Sequence, residues 1–442
     1  TDTVTFNATS GPGGTSQQFH YTGGNLVLSA YTSAPNSSAD ANASNDTLNL
    51  NLCQGMSGVY TINPFGTGAR NFTSFANAVS AIQCGGALGQ VVFEVENGTY
   101  NEQLVFGIIP GASATNRVIF RSAALNKAGV ILTFSPASAA TNYVVAFNGT
   151  QFVNFEHMTV RNTNATNGRV FHLGLAGSVN SANIGIRHNN VEGVSVTTSS
   201  DANALIYGAA GTNATDINIA NNNLVNGSTS VFLGGQNIIN NYSQRCQIDS
   251  NVITNPYYYG IYLTSRGDQK IRKNVITPSA ASFYGVYISG LSTNSELSYN
   301  ILNQPSNYGF YISGHAQYGE IGSSRMYSNA IMVNGGTASP LYLTNCSDMR
   351  VFNNSINTTT TGTSVTMGAI TYSGSVAGGN VVNASQMYFA NNAINAGSSP
   401  AFSVTNATGL SAIQQLDYNV YNTTGATLLY LNGTSYTPAS FA

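Results

Sequence analysis

The chain has 442 residues, of which 7% are charged, against roughly 25% in an average globular protein. With 14 Lys and Arg against 16 Asp and Glu, its net charge is −2, so it offers no basic surface to neutralise a run of phosphates or to adhere to an anionic membrane. The apolar fraction of 42% argues against disorder driven by high charge and low hydrophobicity, and no stretch reaches the roughly 18 apolar residues of a membrane span.

Asn, Ser, Thr, 46 Gly and 25 Tyr take the place of the missing charges, and Trp is absent. Such a surface is polar yet almost uncharged, as in secreted repeat proteins. Residue 1 is Thr and no signal peptide follows, so a processed product or a fragment is expected.

Residues 1–54 form a small β segment by their alternation, with runs at Thr3–Asn7, Gln18–Tyr21, Asn25–Ala30 and Thr47–Leu52. Four strands are fewer than the roughly seven of a complete immunoglobulin-like sandwich. The segment is a truncated neighbouring domain, a small sheet packed on the main body, or a partial sandwich that exchanges a strand with another subunit. Four cysteines are too few for a disulfide scaffold. Cys53 and Cys84 bracket one short segment and are candidates to pair, whereas Cys246 and Cys346 read as buried small hydrophobes.

From residue 55 to 442 the pattern is that of one repeat domain. It opens with Asn71-Phe-Thr-Ser-Phe-Ala-Asn-Ala-Val-Ser-Ala-Ile82. There Phe72, Phe75, Val79 and Ile82 fall at helical spacing. The pattern predicts a capping helix near 71–84 over an otherwise bare hydrophobic end. Gly89–Tyr100 reads as the first coil, and strands are expected near Val118–Arg121, Val130–Phe134 and Val144–Phe147.

A motif of one apolar residue, two polar residues, Asn, any residue and a second apolar residue then recurs. It places Asn189, Asn222, Asn251, Asn274, Asn300, Asn329, Asn354, Asn392 and Asn419 in equivalent positions, with Met158 in the Asn place of an earlier copy. Between these motifs lie Gly260-Ile-Tyr-Leu-Thr264, Gly285-Val-Tyr-Ile-Ser289 and Gly309-Phe-Tyr-Ile-Ser313, with looser copies at Val231-Phe-Leu, Leu341-Tyr-Leu and Leu429-Tyr-Leu. Each repeat thus supplies three short strands and three turns, and the repeat length varies, as a coil of strands permits. Asn tolerates the left-handed backbone of a tight bend, and stacked once per coil its amide bonds to the Asn above and below. The expected fold is an all-β right-handed parallel β-helix of about ten to eleven coils with an asparagine ladder. At about 4.8 Å per coil it is some 50 Å long.

The segment from Gly58-Val-Tyr-Thr-Ile-Asn63 through the Cys84 helix to Tyr100-Asn-Glu102 resembles large secreted surface proteins of Bacteroidota. Those proteins carry β-helix modules between immunoglobulin-like modules and leave by a type IX secretion route. The resemblance implies an extracellular or cell-surface protein with an adhesive or structural role. No C-terminal sorting domain follows Tyr436-Thr-Pro-Ala-Ser-Phe-Ala442, which departs from that pattern.

Chemistry is sparse. In successive motif copies Glu156 aligns with Arg187, Asp249 with Arg272, and His157 with His188. Two clusters result: Glu156/His157/Arg187/His188 and Arg245/Asp249/Arg266/Lys270/Arg272. Neither holds the two close acids of a glycoside hydrolase, and opposite charges on adjacent coils pair readily. Glu94, Glu96 and Glu102 are solvated outward positions, or a calcium site. No zinc-binding His pair, phosphate loop, dinucleotide turn or nucleophile elbow is present, so no catalytic residue, metal or cofactor is assigned.

The distinctive feature is aromatic. Strand parity turns Tyr262, Tyr287, Tyr311 and Tyr342 outward as a ladder on one face, extended loosely by Phe232 and Tyr430. Such a row is a surface for self-association, for another surface protein or for a glycan, or a simple stack that stabilises its own sheet. The expected function is an extracellular structural or adhesive module, including the subunit of a self-assembling fibre. The alternatives are a polysaccharide lyase or hydrolase and a non-catalytic glycan-binding module. Neither nucleic acid nor membrane insertion is expected.

Overall fold

The computed structural model describes residues 26–31, 47–175, 181–209, 211, 214–235, 243–279, 284–291, 294–303, 307–315, 324–334, 339–346, 348–359, 365–367 and 387–440. The runs expected at Thr3–Asn7 and Gln18–Tyr21 lie outside these residues. Those at Asn25–Ala30 and Thr47–Leu52 pair antiparallel as Leu26–Tyr31 and Thr47–Leu52.

From Met56 onward the chain is a parallel β-helix of about eleven turns, with three strands per turn. Strands that lead into the Asn position, such as Val153–Glu156 and Ile413–Asp417, stack as a charge face. Strands that follow it, from Gly98–Asn101 to Val420–Asn422, stack as a trailing face of twelve strands. The third stack, the tyrosine face, runs from Leu104–Phe106 to Leu429–Leu431. One strand, Tyr259–Arg272, passes unbroken from the tyrosine face to the charge face.

Alternation sets what is buried. On the charge face Ile219, Ile248, Ile271, Leu297, Met326 and Val351 stack in register, and all are buried. On the trailing face Leu224, Ile253, Ile276, Leu302, Ile331 and Ile356 do the same. The first turns carry rings instead, with Phe93, Phe120 and Phe155 stacked at centroid distances of 4.5 and 5.4 Å. Apolar residues every second position therefore form continuous inner columns, because the register holds from turn to turn along them; it shifts only near the two ends, at Met56/Gly58 and at Met387/Tyr388, among the described residues.

All nine ladder asparagines stack at one corner, and eight of them are buried. From Asn222 to Asn392, each backbone N–H and each Nδ2 donates to the Oδ1 of the Asn one turn on. For Asn274 these bonds to Asn300 are 3.1 and 3.0 Å. Its Nδ2 also donates to Ile248 O at 2.8 Å, and its Oδ1 accepts from the N–H and Nδ2 of Asn251. Met158 ends the series by donating its N–H to Asn189 Oδ1 at 3.0 Å.

The physical reason for Asn differs from the expected one. No ladder Asn is left-handed. The left-handed residue is the one before each of the nine, and before Met158 as well: His157, His188, Asn221, Ser250, Lys273, Tyr299, Ser328, Asn353, Asn391 and Tyr418 have φ between 53° and 58°. The bend turns one residue early, and Asn is required at the next position for its amide, which supplies the partners that the corner backbone lacks.

The N-terminal end is closed. The helix is Phe75–Gly85, shorter than the predicted 71–84 span at its start, and it buries Phe75, Ala78, Val79 and Ile82. Asn71–Phe72 is a short strand beside Met56–Ile62 instead, and Phe72 packs edge-on to Phe93 at 5.8 Å. Ser74 caps the helix by accepting from the Asn77 N–H. The Glu102 carboxylate accepts from the N–H groups of Phe75 and Ala76 at 3.0 and 2.8 Å, where an anion complements the helix dipole. Cys53 is disulfide-bonded to Cys84, with Cα atoms 5.5 Å apart. The bond ties the helix to the chain entering the first turn. Cys246 and Cys346 are buried thiols outside any disulfide.

These contacts set two expectations for stability. Replacing Asn274 with Ala leaves a backbone carbonyl and a backbone N–H of the corner unpaired, and is expected to cost about 2–4 kcal/mol. The same change at the terminal Asn419 is expected to cost about 1 kcal/mol; urea unfolding of both variants gives the comparison. For the disulfide, a separation of 31 residues predicts a loss of about 3–4 kcal/mol in Cys84→Ser, read as earlier proteolysis at the N-terminal end.

Candidate functional site: the tyrosine face

Burial bears out the parity of the aromatic strands. Ile261, Leu263, Val286, Ile288, Phe310, Ile312, Leu341 and Leu343 are buried. Between them Tyr262, Tyr287, Tyr311 and Tyr342 are half-buried and face outward. Their rings stack nearly parallel along the rod, with centroids 5.0, 4.8 and 5.0 Å apart and interplanar angles of 11°, 4° and 7°. Phe232 joins at 4.6 Å from Tyr262. The row continues through Tyr207 and His172 to Tyr143, with successive centroid distances of 5.2, 5.1 and 6.2 Å. Arg169 lies over the Tyr207 ring at 3.5 Å and forms an ion pair with Asp201. Burial and the neighbouring Arg169 push the His172 imidazole down to about 4.

Tyr430 is not part of this stack. It shares the register column, but Thr366 and Ser403 occupy the two positions between it and Tyr342. Extension is toward the N-terminus instead.

A second row escapes the parity argument. Tyr259, Tyr284 and Tyr308 stack at 5.0 and 5.2 Å and meet the first row nearly edge-on, Tyr284 against Tyr287 at 5.3 Å and Tyr308 against Tyr311 at 5.2 Å. The cause is a corner at the following glycine. Gly260 and Ile261 are both buried, so alternation breaks between Tyr259 and Tyr262. A Cβ on Gly260 would lie 2.5 Å from Gly285 O, and one on Gly309 would lie 2.5 Å from Pro340 O. The sequence signal for this row is the triplicate Tyr-Gly-apolar-Tyr.

A third row completes the face. Thr264, Ser289, Ser313 and Thr344 are in register one above another, two residues beyond the tyrosines and on the same side. Within each row the ring faces are taken by stacked neighbours, so the two tyrosine rows present mainly ring edges, repeated once per turn. None of the strands Thr229–Gly234, Tyr284–Leu291, Tyr308–His315 and Leu341–Cys346 contains Asp, Glu, Lys or Arg, and neither does 259–264. The chemistry of this surface is that of neutral hydroxyl groups on an aromatic bed. Burial, reinforced by neighbouring tyrosines, pushes Tyr284 and Tyr311 up to about 12 and raises Tyr259, Tyr262, Tyr287 and Tyr308.

The charged residues are gathered on the next face. Glu94, Arg121, Glu156 and Arg187 follow one another in register, and so do Asp249 and Arg272. Arg121 bonds to Glu94 at 2.7 Å, Arg187 to Glu156 at 2.6 Å and Arg272 to Asp249 at 2.6 Å. His157 and His188 stack at 4.7 Å, and burial with the facing His188 lowers the His157 imidazole. The first cluster read from the sequence is therefore assembled, with its carboxylate neutralised.

Of the second cluster only the Asp249–Arg272 pair is assembled. Arg245 turns to Asp216, Oδ2 at 2.9 Å, and Lys270 is exposed. Arg266 is buried inside the coil, donating to Gly234 O at 3.0 Å and Ala214 O at 2.6 Å, one and two turns back. Glu94 and Glu102, candidates for calcium, are an ion-pair partner and a helix cap. Among the described residues no group of three His, Cys, Asp or Glu is placed to hold a metal ion, and no helix is long and apolar enough to cross a membrane.

No family model and no curated protein sequence matches the chain. Among solved structures it is similar to the Dettilon tailspike protein, at TM-score 0.47 and 14% identity over 84% of this chain and 68% of that one. It is also similar to the A-module of the Azotobacter vinelandii mannuronan C-5 epimerase AlgE6, at 0.45 and 12% over 86% and 99%. A third is pectate lyase Pel9A, at 0.34 and 13% over 87% and 83%. The likeness is one of fold.

The raised phenols predict a defined alkaline limit. A group with a raised folded pKa contributes its stability fully below its unfolded pKa near 10 and loses it as pH rises toward and through the folded value. Circular dichroism is expected to stay constant to about pH 10 and to fall away around pH 12. A Tyr284→Phe/Tyr311→Phe variant, which keeps the rings and removes two titrating groups, is expected to unfold at higher pH.

Proposed function

We propose that this chain is a rigid, non-cleaving adhesive module that holds a neutral, hydroxyl-rich polymer, a glycan, along its tyrosine face. One observation carries the proposal. Three register-locked rows of uncharged hydroxyl groups, Tyr259/Tyr284/Tyr308, Tyr262/Tyr287/Tyr311/Tyr342 and Thr264/Ser289/Ser313/Thr344, run side by side along the rod axis. Hydroxyl groups both donate and accept, as sugar hydroxyls do, and the aromatic bed keeps the row rigid, so little entropy is lost on binding. The repeat along the axis suits an extended chain rather than a small molecule. The reading of retention rather than cleavage is supported by the ion pairing of Glu156 and Asp249. A site outside the cell is supported by the charge-poor surface and by the disulfide, which persists in oxidising compartments.

Retention on insoluble or immobilised neutral polysaccharides tests the proposal. Binding is expected to persist from low to high salt, since no charge takes part. A Tyr262→Phe/Tyr287→Phe/Tyr311→Phe variant keeps the stack and removes three hydroxyls, and about a tenfold or greater loss of affinity is expected. Unchanged retention in that variant and in Tyr287→Ala/Tyr311→Ala would place the contact elsewhere. Release of soluble sugar by the wild type, lost in Glu156→Gln, would favour cleavage instead.

A further inference from the structure

The chain has eleven arginines, and nine of them have a guanidinium group that donates to a partner. Six pair with an Asp or Glu. Arg70, Arg117 and Arg266 donate to backbone carbonyls. Arg325 and Arg350 are the remaining two. Both are exposed, and among the described residues neither guanidinium forms an ion pair or a hydrogen bond.

These two are also neighbours. On the charge face Lys270, Glu296, Arg325, Arg350 and Tyr388 follow one another in register. Ser324, Met326, Met349 and Val351, on either side of the two arginines, are buried. Both guanidinium groups therefore turn outward on successive turns. Adjacent strands lie about 4.8 Å apart, and like charges directly opposite each other destabilise a sheet. Elsewhere on this face a cation meets an acid on the next turn, as Arg121 meets Glu94 and Arg272 meets Asp249. Here the acid in the column, Glu296, is held by hydroxyl groups instead. Ser298 Oγ donates to it at 2.9 Å and the Tyr327 phenol at 2.7 Å.

Aromatic rings adjoin the pair. Arg350 lies over the Tyr388 ring at 5.5 Å. Two residues further along the same strands, Tyr327 and Phe352 stack at 5.1 Å with an interplanar angle of 5°. Two unpaired cations beside stacked rings suit a ligand that carries both an anionic group and a sugar ring.

The spacing selects the anion. A carboxylate has two oxygens in one plane, and a single guanidinium fork satisfies both. A tetrahedral ester presents three oxygens, enough to engage two forks one turn apart. The two guanidinium charges less the Glu296 carboxylate leave one net positive charge. That balance matches the single charge of a sulfate ester better than a phosphate monoester, which carries about −1.5 to −2. One pair of arginines is too few for a run of phosphates or an anionic membrane.

We infer that Arg325 and Arg350 form a subsite for the sulfate ester of a sulfated polysaccharide. The subsite lies on the charge face, so it goes beyond the retention of neutral glycan on the tyrosine face and does not rest on it.

Retention of the full chain on immobilised dextran sulfate, compared with unmodified dextran at the same salt, tests this. Dextran sulfate is expected to bind about tenfold more tightly or better, and this excess is expected to shrink as salt rises. Arg325→Gln/Arg350→Gln is expected to remove the excess. Without ligand that variant is expected to melt at or above the wild-type temperature, because a like-charge contact is gone. Lys127→Gln removes a charge several turns away and is expected to keep the excess within about twofold. Equal retention on the two matrices overturns the inference. So does an excess that survives the double arginine variant, or one that Lys127→Gln abolishes as well. An excess lost in Tyr262→Phe/Tyr287→Phe/Tyr311→Phe would put the sulfate on the tyrosine face, overturning this subsite and leaving the neutral reading in place. An equal excess on a polyuronate or on phosphorylated dextran overturns the choice of sulfate.

Discussion

The rest of the molecule depends on one bond pattern, the donation from each corner asparagine to the carboxamide oxygen one turn on. A parallel sheet coiled on itself has no covalent device that keeps its turns in step, and the connecting segments vary in length. A buried amide that bonds above and below provides that device, since a slip of one residue would leave it unpaired in an apolar interior. Register, once locked at the corner, is inherited by every column. The aliphatic columns inside, the tyrosine rows outside and the acid–base alternation on the neighbouring face are all consequences of it.

Locked register also accounts for how so charge-poor a protein separates its chemistry by face. Opposite charges fall on successive turns and neutralise each other within one stack, while the tyrosine face from Tyr259 to Thr344 presents hydroxyl groups, with the Arg169–Asp201 pair set further toward the N-terminus. The two kinds of surface sit on adjacent sides of the same coil without interfering. Arg266 shows the limit of this order. It lies within the unbroken strand Tyr259–Arg272, points inward and spans three turns by bonding to carbonyls of the two before it. It is a buried polar staple between turns rather than part of the charge cluster.

Much of this is legible in the sequence, and the reasons are local. The nine asparagines announce the ladder because a polar residue repeated between apolar ones, once per coil, needs a buried partner of its own kind. Phe75, Val79 and Ile82 announce the capping helix by their spacing. Tyr262, Tyr287 and Tyr311 announce the outward row because strand parity holds within a strand. What parity cannot cross is a corner, so Tyr259, Tyr284 and Tyr308 escape it although their triplicate pattern is visible. Stacking neighbours beyond a loop escape it too, since Tyr207 and His172 sit in strands without the Gly-apolar-Tyr signature. Tyr430 misleads for the converse reason: its strand matches the motif, but the two turns before it carry no ring. Arg266 cannot be located at all, because nothing in a sequence distinguishes an arginine that turns inward to carbonyls from one that turns out to an acid.

The bend before each ladder rung has one more consequence. Ten residues there hold a left-handed backbone, and they are as unlike as His157, Lys273, Ser328 and Tyr418. A residue other than glycine or asparagine resists that conformation, yet at nine of the ten positions the next residue is a ladder Asn, whose amide makes up the deficit whatever the side chain before it is. His188, Tyr299 and Tyr418 are exposed, so the ridge formed by these positions can change composition without disturbing the columns beneath. The corner that is most constrained in its backbone is therefore among the least constrained in its side chains. A lineage of such rods could rewrite that ridge turn by turn while the fold stayed the same.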